Sequence, residues 1–307
     1  MRMDDKTVLI TGANSGVGFA TASRLAEAGA SIVMICRSSE RGDVARQKIS
    51  RVATGKPPAL LLCDLSSQDS IHKLADEIHN RYSRIDVLIN NAGGIFDHRQ
   101  LTDDGIEKTF ATNHLAPFLL TNLLLDLVKA GAAGRIVTVS SESHSGSLEF
   151  DNLQGERRYN FFGAYNRSKL CNILFTYELA RRLQGTNATA NCLSPGPTAT
   201  PFGSDMEGFP ALFLKAIKKI PFLIRPVEKG AETLIYIASS PELEGTSGRF
   251  FLRCHEARSK KITYDIHAAS VLWSISERMC DGVARATQQF RSTQNLAARG
   301  LPAPGNT

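Results

Sequence analysis

Long apolar runs and metal-ligand patterns are both missing from this sequence of 307 residues. No stretch of about 20 consecutive apolar residues is present, the length that a helix needs to cross a bilayer. The six cysteines form no C-x-x-C pair and no group with histidine at the spacing of metal ligands. We therefore expect no transmembrane segment and no metal, and we interpret the cysteines as reduced residues of a cytoplasmic protein.

A signal peptide and a glycan are also not expected. The polar first residues lead directly into an apolar strand, without the apolar stretch of a secretory signal. The glycosylation sequon Asn166-Arg167-Ser168 lies beside candidate catalytic residues, where a glycan would block the site. Both observations argue against secretion.

Positive charge is in modest excess but is not clustered. The formal net charge is +6, and lysine and arginine are scattered without the basic run of a nucleic-acid-binding arm. Nucleic acid is therefore not an expected partner. The charge has two interpretations: an ordinary, mildly basic soluble protein, or attraction of a phosphate-bearing ligand.

Strand-like apolar runs alternate with helical stretches along most of the chain. The runs are apolar throughout, which is typical of strands buried on both faces, and the alternation predicts a parallel sheet with right-handed crossovers. Strands are expected at 7–11, 31–36, 59–63, 87–90, 135–140, 188–193 and 248–252, and helices at 18–28, 40–52, 67–81, 105–129, 164–183, 229–239 and 264–280. The expected fold class is α/β, a doubly wound parallel sheet with helices on both faces.

A glycine-rich turn follows the first strand, at the place where a doubly wound fold binds a dinucleotide pyrophosphate. The segment 11–18, TGANSGVG, has the spacing G-x-x-x-G-x-G. Glycines let the backbone approach phosphates, and the start of the next helix offers free N–H groups and positive potential. The alternative is a plain turn into a helix. The candidate cofactor contacts are Gly12, Asn14, Ser15, Gly16, Val17 and Gly18.

The end of the second strand, Cys36-Arg37-Ser38, bears on the choice of nicotinamide cofactor. An acidic residue there would bind the ribose hydroxyl of NAD, whereas an arginine can pair with the 2′-phosphate of NADP. Arg37 is present, and no carboxylate precedes it at the strand end. The sequence therefore favours NADP, with a solvated surface arginine as the alternative.

Two further strand ends carry candidate cofactor contacts. Asp64 and Leu65 follow the third strand, where the Asp64 carboxylate would either accept from an adenine amino group or cap the next turn. Asn91, Ala92 and Gly93 follow the fourth strand, where a glycine allows close approach of a cofactor. The alternative for these three residues is a turn that ends the strand.

Tyr165 and Lys169 are four residues apart on a predicted helix and therefore share one face. A nearby ammonium favours the phenolate, so we expect Lys169 to lower the pKa of Tyr165 from about 10 and to make it an acid/base group. Such a pair is also frequent by chance. Ser140 and Ser141 after the fifth strand, and Asn113 within a predicted helix, indicate nothing when taken alone.

Together and in this order, these elements resemble the short-chain dehydrogenase/reductase family over roughly residues 6–280. The resemblance implies one Rossmann-type domain with a seven-stranded sheet in a three-layer sandwich. It also implies a catalytic tetrad of Asn113, Ser141, Tyr165 and Lys169. In that tetrad Tyr165 transfers the proton and Lys169 lowers its pKa. Ser141 binds the substrate oxygen, and Asn113 positions a water of a proton relay.

The resemblance also implies contacts with the nicotinamide end of the cofactor. Lys169 would hold the nicotinamide ribose beside Tyr165. Pro195, Gly196 and Thr200 are similar to the P-G-x-x-x-T segment with which the family contacts the nicotinamide. Light-dependent protochlorophyllide reductases are similar around Tyr165 too. The cysteine that they carry just after the Pro-Gly pair is replaced here by proline, which argues against that activity.

Within the family, the sequence is similar to the retinol-dehydrogenase-like reductases. The loop between Ser141 and Tyr165 is longer than the family's usual one and carries FDNLQ at 150–154, as the loops of that subgroup tend to. The segments SKLCN at 168–172 and LWSIS at 272–276 also fit. The N-terminal membrane anchor of many of those enzymes is lacking, so the sequence resembles a soluble relative.

We therefore expect an NADPH-dependent enzyme that reduces an apolar aldehyde or ketone, or oxidises the matching alcohol. The alternative is a non-catalytic dinucleotide-binding regulatory protein on the same fold. Residues 1–284 are expected to form one domain, and 285–307 a disordered tail. The apolar segment 202–226 is interpreted as a substrate lid, with ordinary core or a peripheral membrane contact as alternatives. Because members of the family often form dimers through the corresponding helices, the resemblance predicts a homodimer through 105–129 and 164–183.

Overall fold

One eight-stranded sheet runs through the described part of the chain. The computed structural model describes residues 2–146, 148–198 and 225–280. The strands are β1 Thr7–Thr11, β2 Ser31–Cys36, β3 Ala59–Leu62, β4 Val87–Asn90, β5 Arg135–Val139, β6 Thr189–Ser194, β7 Phe250–Leu252 and β8 His255–Ala257. Their order across the sheet is β3-β2-β1-β4-β5-β6-β7-β8, and β1 to β7 are all parallel. The predicted doubly wound α/β fold is confirmed.

The eighth strand corrects the expected count of about seven strands and the expectation of a wholly parallel sheet. β8 pairs antiparallel with β7, with Leu252 opposite His255. The two residues between them, Arg253 and Cys254, have φ angles of 52° and 62°. Two positive φ values in a two-residue turn are typical of a type I′ hairpin. Neither residue is the asparagine or glycine that marks such a turn in a sequence, so the hairpin was not predictable.

Helices cover both faces of the sheet. They are α1 Gly16–Glu27, α2 Ser39–Ser50, α3 Gln68–Arg81, α4 Lys108–Phe110, α5 Ala116–Leu123, α6 Leu125–Lys129, α7 Phe161–Arg182, α8 Val227–Ser239 and α9, which covers 266–280 of the described residues. Most of these bounds lie within three residues of the predicted ones. No helix among residues 2–146, 148–198 and 225–280 is long and apolar enough to cross a membrane.

Two apolar cores lie on opposite faces of the sheet, which makes the fold a three-layer sandwich. Successive strand residues point to opposite faces: Leu9 packs into the core under α3, α5, α7 and α9, and Ile10 packs into the core under α1, α2 and α8. Both residues are fully buried. This two-sided burial is why the strands are apolar throughout rather than alternating.

The helix predicted at 105–129 begins later and is interrupted. Glu107 is 1% exposed, and its two carboxylate oxygens accept from the amides of Thr109 and Phe110, each at 2.8 Å, so α4 begins after Glu107. A π-helical turn, Ala111–Leu115, then separates α4 from α5. Such wide turns are frequent at functional sites, and this one contains Asn113.

The last described helix, α9, packs across α5 and α7. The indole of Trp273 lies 4.9 Å from the ring of Phe118 and 5.8 Å from the ring of Phe175, between ring centroids. The guanidinium of Arg182 lies 4.1 Å over the same indole. A homodimer through α5 and α7 would have to use the surfaces that α9 leaves uncovered, and the dimer stays a prediction. The predicted lid, apart from Arg225 and Pro226, and the predicted tail lie outside the described residues.

Candidate active site

A cleft of about 610 Å³ opens along the carboxyl ends of strands β1 to β6. The strand order reverses between β1 and β4, so the cleft lies at the switch point where doubly wound folds bind ligands. The predicted site residues that line it are Gly12, Asn14, Ser15, Gly16, Val17, Gly18, Arg37, Asp64, Leu65, Asn91, Ala92, Gly93, Ser141, Tyr165, Lys169, Pro195 and Gly196. Asn113 contacts the loop after β4, and Thr200 lies outside the described residues.

The glycine-rich turn has a shape that only glycine allows. Gly12 and Gly16 have φ angles of 68° and 55°, in the left-handed region that other residues rarely adopt. A Cβ atom on Gly18 would lie 2.4 Å from the carbonyl oxygen of Gly12. Ser15 precedes α1 without a side-chain capping bond, and the first residues of α1 line the cleft. A helix start of this kind fits a dinucleotide pyrophosphate.

A hydrogen-bonded clamp joins the ends of β1 and β4 beneath this turn. The hydroxyl of Thr11 accepts from the amides of Asn91 and Ala92, each at 3.0 Å. The side-chain amide of Asn91 donates to the carbonyl oxygen of Thr11 at 2.8 Å and to that of Gly12 at 3.4 Å. The side chain of Asn91 thus holds the glycine-rich turn in place.

Two guanidinium groups line the cleft at the end of β2. Arg37 and Arg41 are both exposed and both contribute to the cleft wall. The hydroxyl of Ser38 accepts from the amide of Arg41 at 3.3 Å, so α2 starts there and holds Arg41 one turn after Arg37. Sequence reasoning missed Arg41. The signal that could have found it is Ser38 as an N-cap, which places residue 41 in the first helical turn.

Asp64 uses one oxygen to cap a turn. Its Oδ1 accepts from the amide of Ser66 at 2.9 Å and from the Ser66 hydroxyl at 2.7 Å. The Asp64 amide donates to the hydroxyl of Ser70 at 3.0 Å, and Asp64 lines the cleft. The capping alternative is therefore present in the structure, and the adenine contact stays a prediction.

Ser140 and Ser141 have different partners. Ser140 is 2% exposed, and its hydroxyl donates to the carbonyl oxygen of Lys169 at 2.7 Å. Ser141 lines the cleft together with Tyr165, and its hydroxyl lies 2.9 Å from the hydroxyl of Ser143. Ser140 therefore ties β5 to α7, and the contact of Ser141 with a substrate oxygen stays a prediction.

The electrostatics of Tyr165 differ from the expectation. Burial raises the pKa of Tyr165 to about 12, although the hydrogen bond from Ser141 acts in the opposite direction. The Nζ atom of Lys169 lies 5.7 Å from the ring centroid of Tyr165, and burial lowers the pKa of Lys169 itself to about 8. The pKa of Tyr165 is therefore raised where the sequence predicted a lowered one, because the loss of hydration is the largest cause of the shift.

Asn113 is fully buried and holds the loop after β4. Its Oδ1 accepts from the amide of Gly94 at 2.8 Å, and its Nδ2 donates to the Gly94 carbonyl oxygen at 2.9 Å and to the Ser168 hydroxyl at 3.0 Å. A Cβ atom on Gly93 would lie 3.1 Å from Asn113 Oδ1 and 3.3 Å from Lys169 Nζ. Both amide hydrogens of Asn113 are thus engaged by protein, and its water-positioning role stays a prediction.

The cleft also contains residues that no sequence pattern indicated. Thr112 lines it, and its Oγ1 is buried without a hydrogen-bond partner among the described residues. Lys108 lines it too, with its Nζ 3.1 Å from Gln100 Oε1 and 4.8 Å over the ring of Phe96. The unpaired hydroxyl of Thr112 is consistent with a polar group bound in the cleft.

Comparisons with known proteins agree with this geometry. The family described as short chain dehydrogenase matches residues 6–208. Retinol dehydrogenase 14 of Homo sapiens is 45% identical over 90% of this chain and 87% of its own length. Retinol dehydrogenase 11 of Homo sapiens is 38% identical over 92% of this chain and 86% of its own. The WW domain-containing oxidoreductase of Gallus gallus is 36% identical over 90% of this chain and 68% of its own length.

Solved structures show the same architecture. An uncharacterized protein from Mycobacterium paratuberculosis superposes with a TM-score of 0.74 and is 32% identical, covering 91% of this chain and 95% of that one. A short chain dehydrogenase from Shigella flexneri, complexed with NADP, superposes with a TM-score of 0.65. The match covers 82% of this chain and 98% of that one. At 24% identity, this second likeness supports the fold alone.

Proposed function

Because the chain belongs to the short-chain dehydrogenase family, in its retinol-dehydrogenase-like subgroup, we propose that it uses NADPH to reduce an apolar aldehyde or ketone. The reverse reaction would oxidise the matching alcohol. Oxidoreductases of this family use a nicotinamide dinucleotide, and the glycine-rich turn fits its pyrophosphate. The observation that carries the proposal is that Ser141, Tyr165 and Lys169 line the same cleft, with Nζ of Lys169 5.7 Å from the ring centroid of Tyr165.

In the proposed reduction, Tyr165 is the acid. With a pKa near 12 it holds its proton at neutral pH and can donate it to the oxygen of a bound carbonyl. When bound, the dinucleotide supplies the hydride for the carbonyl carbon. Ser141 orients the substrate oxygen toward Tyr165. The Lys169 ammonium, 5.7 Å from the centre of the Tyr165 ring, would stabilise the negative charge that develops on the phenolic oxygen as the proton leaves.

The preference for NADPH rests on Arg37 and Arg41. The 2′-phosphate of NADP carries close to two negative charges, and guanidinium groups bind phosphate through paired, charged hydrogen bonds. Both guanidinium groups line the cleft next to the end of β2, where the ribose of a dinucleotide lies in doubly wound folds. No carboxylate lies at Cys36, Arg37 or Ser38 to favour the ribose hydroxyl of NAD.

The apolar character of the substrate is supported by the names of the relatives and by the cleft. Relatives with 36–45% identity are named retinol dehydrogenases, which points to an alcohol with an apolar body. Apolar side chains of Ile95, Phe96, Pro195 and Pro197 contribute to the cleft wall. An apolar substrate would displace water from these surfaces and bring its carbonyl to Ser141 and Tyr165.

A screen of aldehydes and ketones with NADPH, followed at the absorbance of the reduced nicotinamide, tests the proposal. The expected result is turnover of apolar carbonyl compounds and a clear preference for NADPH over NADH. Tight binding of NADPH without turnover of any carbonyl or alcohol would instead support the non-catalytic regulatory alternative. A cytoplasmic location, the homodimer and a peripheral membrane contact stay predictions.

A further inference from the structure

His144 occupies an unusual place three residues after Ser141. It is only 4% exposed, and its ring packs against Phe250 at 5.4 Å between ring centroids. Its Nδ1 lies 2.5 Å from the carbonyl oxygen of Ser141, and its Nε2 lies 3.1 Å from the amide nitrogen of Lys260. The imidazole therefore connects the loop after β5 with the segment after β8.

The two partners determine the tautomer of His144. A carbonyl oxygen can only accept, so Nδ1 carries the hydrogen and donates to Ser141. A backbone amide can only donate, so Nε2 is unprotonated and accepts from Lys260. Burial lowers the pKa of His144, and the charge of Lys260 acts in the same direction. Its contact with Ser141 and the charge of Glu142 oppose this shift. At pH 7 the ring is neutral, as both bonds require.

Both the sheet and this turn fix Ser141: the amide of the next residue, Glu142, donates to the hydroxyl of Ser194 at the end of β6 at 3.0 Å, and the turn holds the carbonyl oxygen of Ser141. Ser140 is still fixed by the sheet, since its amide donates to the Leu193 carbonyl oxygen at 2.7 Å. Ser141 lies beyond the last residue of β5, and its carbonyl oxygen accepts both from Nδ1 and from the main-chain amide of His144, the latter at 3.2 Å. Ser143 completes the turn by donating its amide to the Ser141 hydroxyl at 3.2 Å.

On the Nε2 side of the imidazole, Lys260 belongs to a hydrogen-bonded turn. The carbonyl oxygen of Lys260 accepts from the hydroxyl of Thr263 at 2.7 Å and from its amide at 2.9 Å. The hydroxyl of Ser259 lies 2.6 Å from that of Thr263 and 2.8 Å from the hydroxyl of Tyr177 on α7. Since α7 also carries Tyr165, the link through His144 relates Ser141 to the same helix that holds the acid.

We propose that His144 is a positioning residue, which orients the Ser141 hydroxyl toward Tyr165 by donating Nδ1–H to the Ser141 carbonyl oxygen. The inference rests on the proposed function, because it gives Ser141 a role in turnover. His144 itself does not touch the substrate. Replacing the His144 imidazole lets the turn at 141–144 relax. The Ser141 hydroxyl is then held less well, while the cofactor site stays intact.

Three substitutions separate positioning from simple packing. His144→Asn keeps an amide donor near the position of Nδ1, His144→Gln offers an acceptor near the position of Nε2, and His144→Phe keeps only a ring. The quantities to measure are kcat and KM for a carbonyl substrate, the Kd of NADPH, and the melting temperature. Ser141→Ala is measured alongside, and His79→Asn, at an exposed histidine of α3, is the matched control.

For His144→Gln and His144→Phe we expect kcat to fall roughly tenfold or more, with little change in the Kd of NADPH. His144→Asn should keep kcat within a few-fold of the unmodified protein, and His79→Asn should leave it unchanged. If His144→Asn and His144→Gln lose the same share of kcat, and the loss follows the fall in melting temperature, the positioning role is wrong. If His144→Phe does not fold, the comparison of Asn with Gln decides.

Failure of this inference and failure of the proposed function give different results. If Ser141→Ala abolishes turnover while His144→Gln and His144→Phe do not, only the role of His144 is wrong. If Ser141→Ala leaves turnover unchanged, the proposed mechanism itself is wrong. Ring nitrogen chemical shifts of His144 add a test without turnover, because a tautomer protonated at Nε2 would contradict the inference.

Discussion

The Nζ atom of Lys169 donates to the carbonyl oxygen of Val139 at 3.1 Å. Val139 is the last residue of β5, two positions before Ser141. Lys169 as a whole is 3% exposed, and its ammonium is held at the end of β5. Its pKa of about 8, lowered by burial, means that it carries its charge at pH 7 and loses it within the alkaline range.

This pKa predicts the alkaline side of the pH profile. The Lys169 ammonium is protonated below about pH 8 and neutral above it. Carbonyl reduction should therefore fall as the pH rises through 8, because the charge that stabilises the developing Tyr165 phenolate is lost. The measurement is kcat/KM with NADPH between pH 6 and 10. A rate that stays constant to pH 10 would show that the Lys169 charge does not assist proton transfer.

Removal of the Tyr165 hydroxyl tests the acid directly. Tyr165→Phe should lower kcat by about 10²-fold or more, the effect typical of losing a general acid. The affinity for NADPH should change little, because the ring remains. Tyr236→Phe is the matched control, since Tyr236 lies on α8 and its hydroxyl donates to the exposed Glu242 just beyond that helix. Turnover of the Tyr165→Phe protein near that of the control would refute the mechanism.

The two arginines predict the cofactor preference. Charged hydrogen bonds contribute roughly 1.5–3 kcal/mol, so Arg37→Ala and Arg41→Ala should each weaken NADPH by about tenfold or more. NADH should bind nearly unchanged. Arg46→Ala is the control within α2, because Arg46 is paired with Asp43 and is not part of the cleft wall.

A carboxylate at the strand end should invert this preference. Cys36→Asp would repel the 2′-phosphate of NADP and accept from the ribose hydroxyl of NAD. The test is kcat/KM for both cofactors with one shared substrate. If the unmodified protein already prefers NADH, the two arginines do not select the cofactor.

His114 predicts how stability changes with pH. Burial lowers its pKa to about 4, below the ordinary value of 6.5, so the unfolded chain binds a proton more readily than the folded one. The contribution of neutral His114 to the free energy of unfolding is therefore fully present above pH 6.5 and is lost as the pH falls toward 4. The loss amounts to about 3 kcal/mol at most. Urea unfolding at pH 7 and pH 4.5 measures it.

The substitution His114→Gln should reduce this dependence on pH, since glutamine does not titrate. Its amide can still donate to Ser276, whose hydroxyl lies 3.0 Å from Nε2 of His114. His79→Gln is the control, because the pKa of His79 is shifted in the opposite direction to that of His114. The Ala75 carbonyl oxygen and Asp126 raise the pKa of His79, so its contribution is lost as the pH rises. An unchanged pH dependence in His114→Gln would assign the acid sensitivity to other groups.

Trp273 predicts the contribution of α9 to stability. The indole is 5% exposed and lies against Phe118 and Phe175. Trp273→Ala should destabilise the protein by about 3–5 kcal/mol, the usual range for removing a large buried aromatic side chain. Ile266→Ala is a suitable control within α9, because Ile266 is 61% exposed. Equal shifts of the two urea midpoints would show that α9 contributes little to the core.

The sequence predicted the features that depend on local pattern. The continuous apolar strands indicated the two-sided sheet, and the glycine-rich turn predicted the cleft wall at α1. Features that depend on contacts between distant segments were not predictable. Both Ser140 and Ser141 line the cleft, but the hydroxyl of Ser140 is engaged by the Lys169 carbonyl oxygen, 29 positions further along the chain. The raised pKa of Tyr165 depends on burial, which no spacing of residues encodes.

The clamp between Thr11 and Asn91 has a consequence for the newly made chain. Its bonds join residues about 80 positions apart, so they close only after β4 has been synthesised and has docked beside β1. Contacts between such distant residues form late in folding, because the loop between them must first be closed. A fragment that ends after β3 would contain the whole glycine-rich turn, yet it would lack the side chain that holds the turn in its binding shape. The binding shape of the turn therefore cannot be reached before Asn91 has left the ribosome.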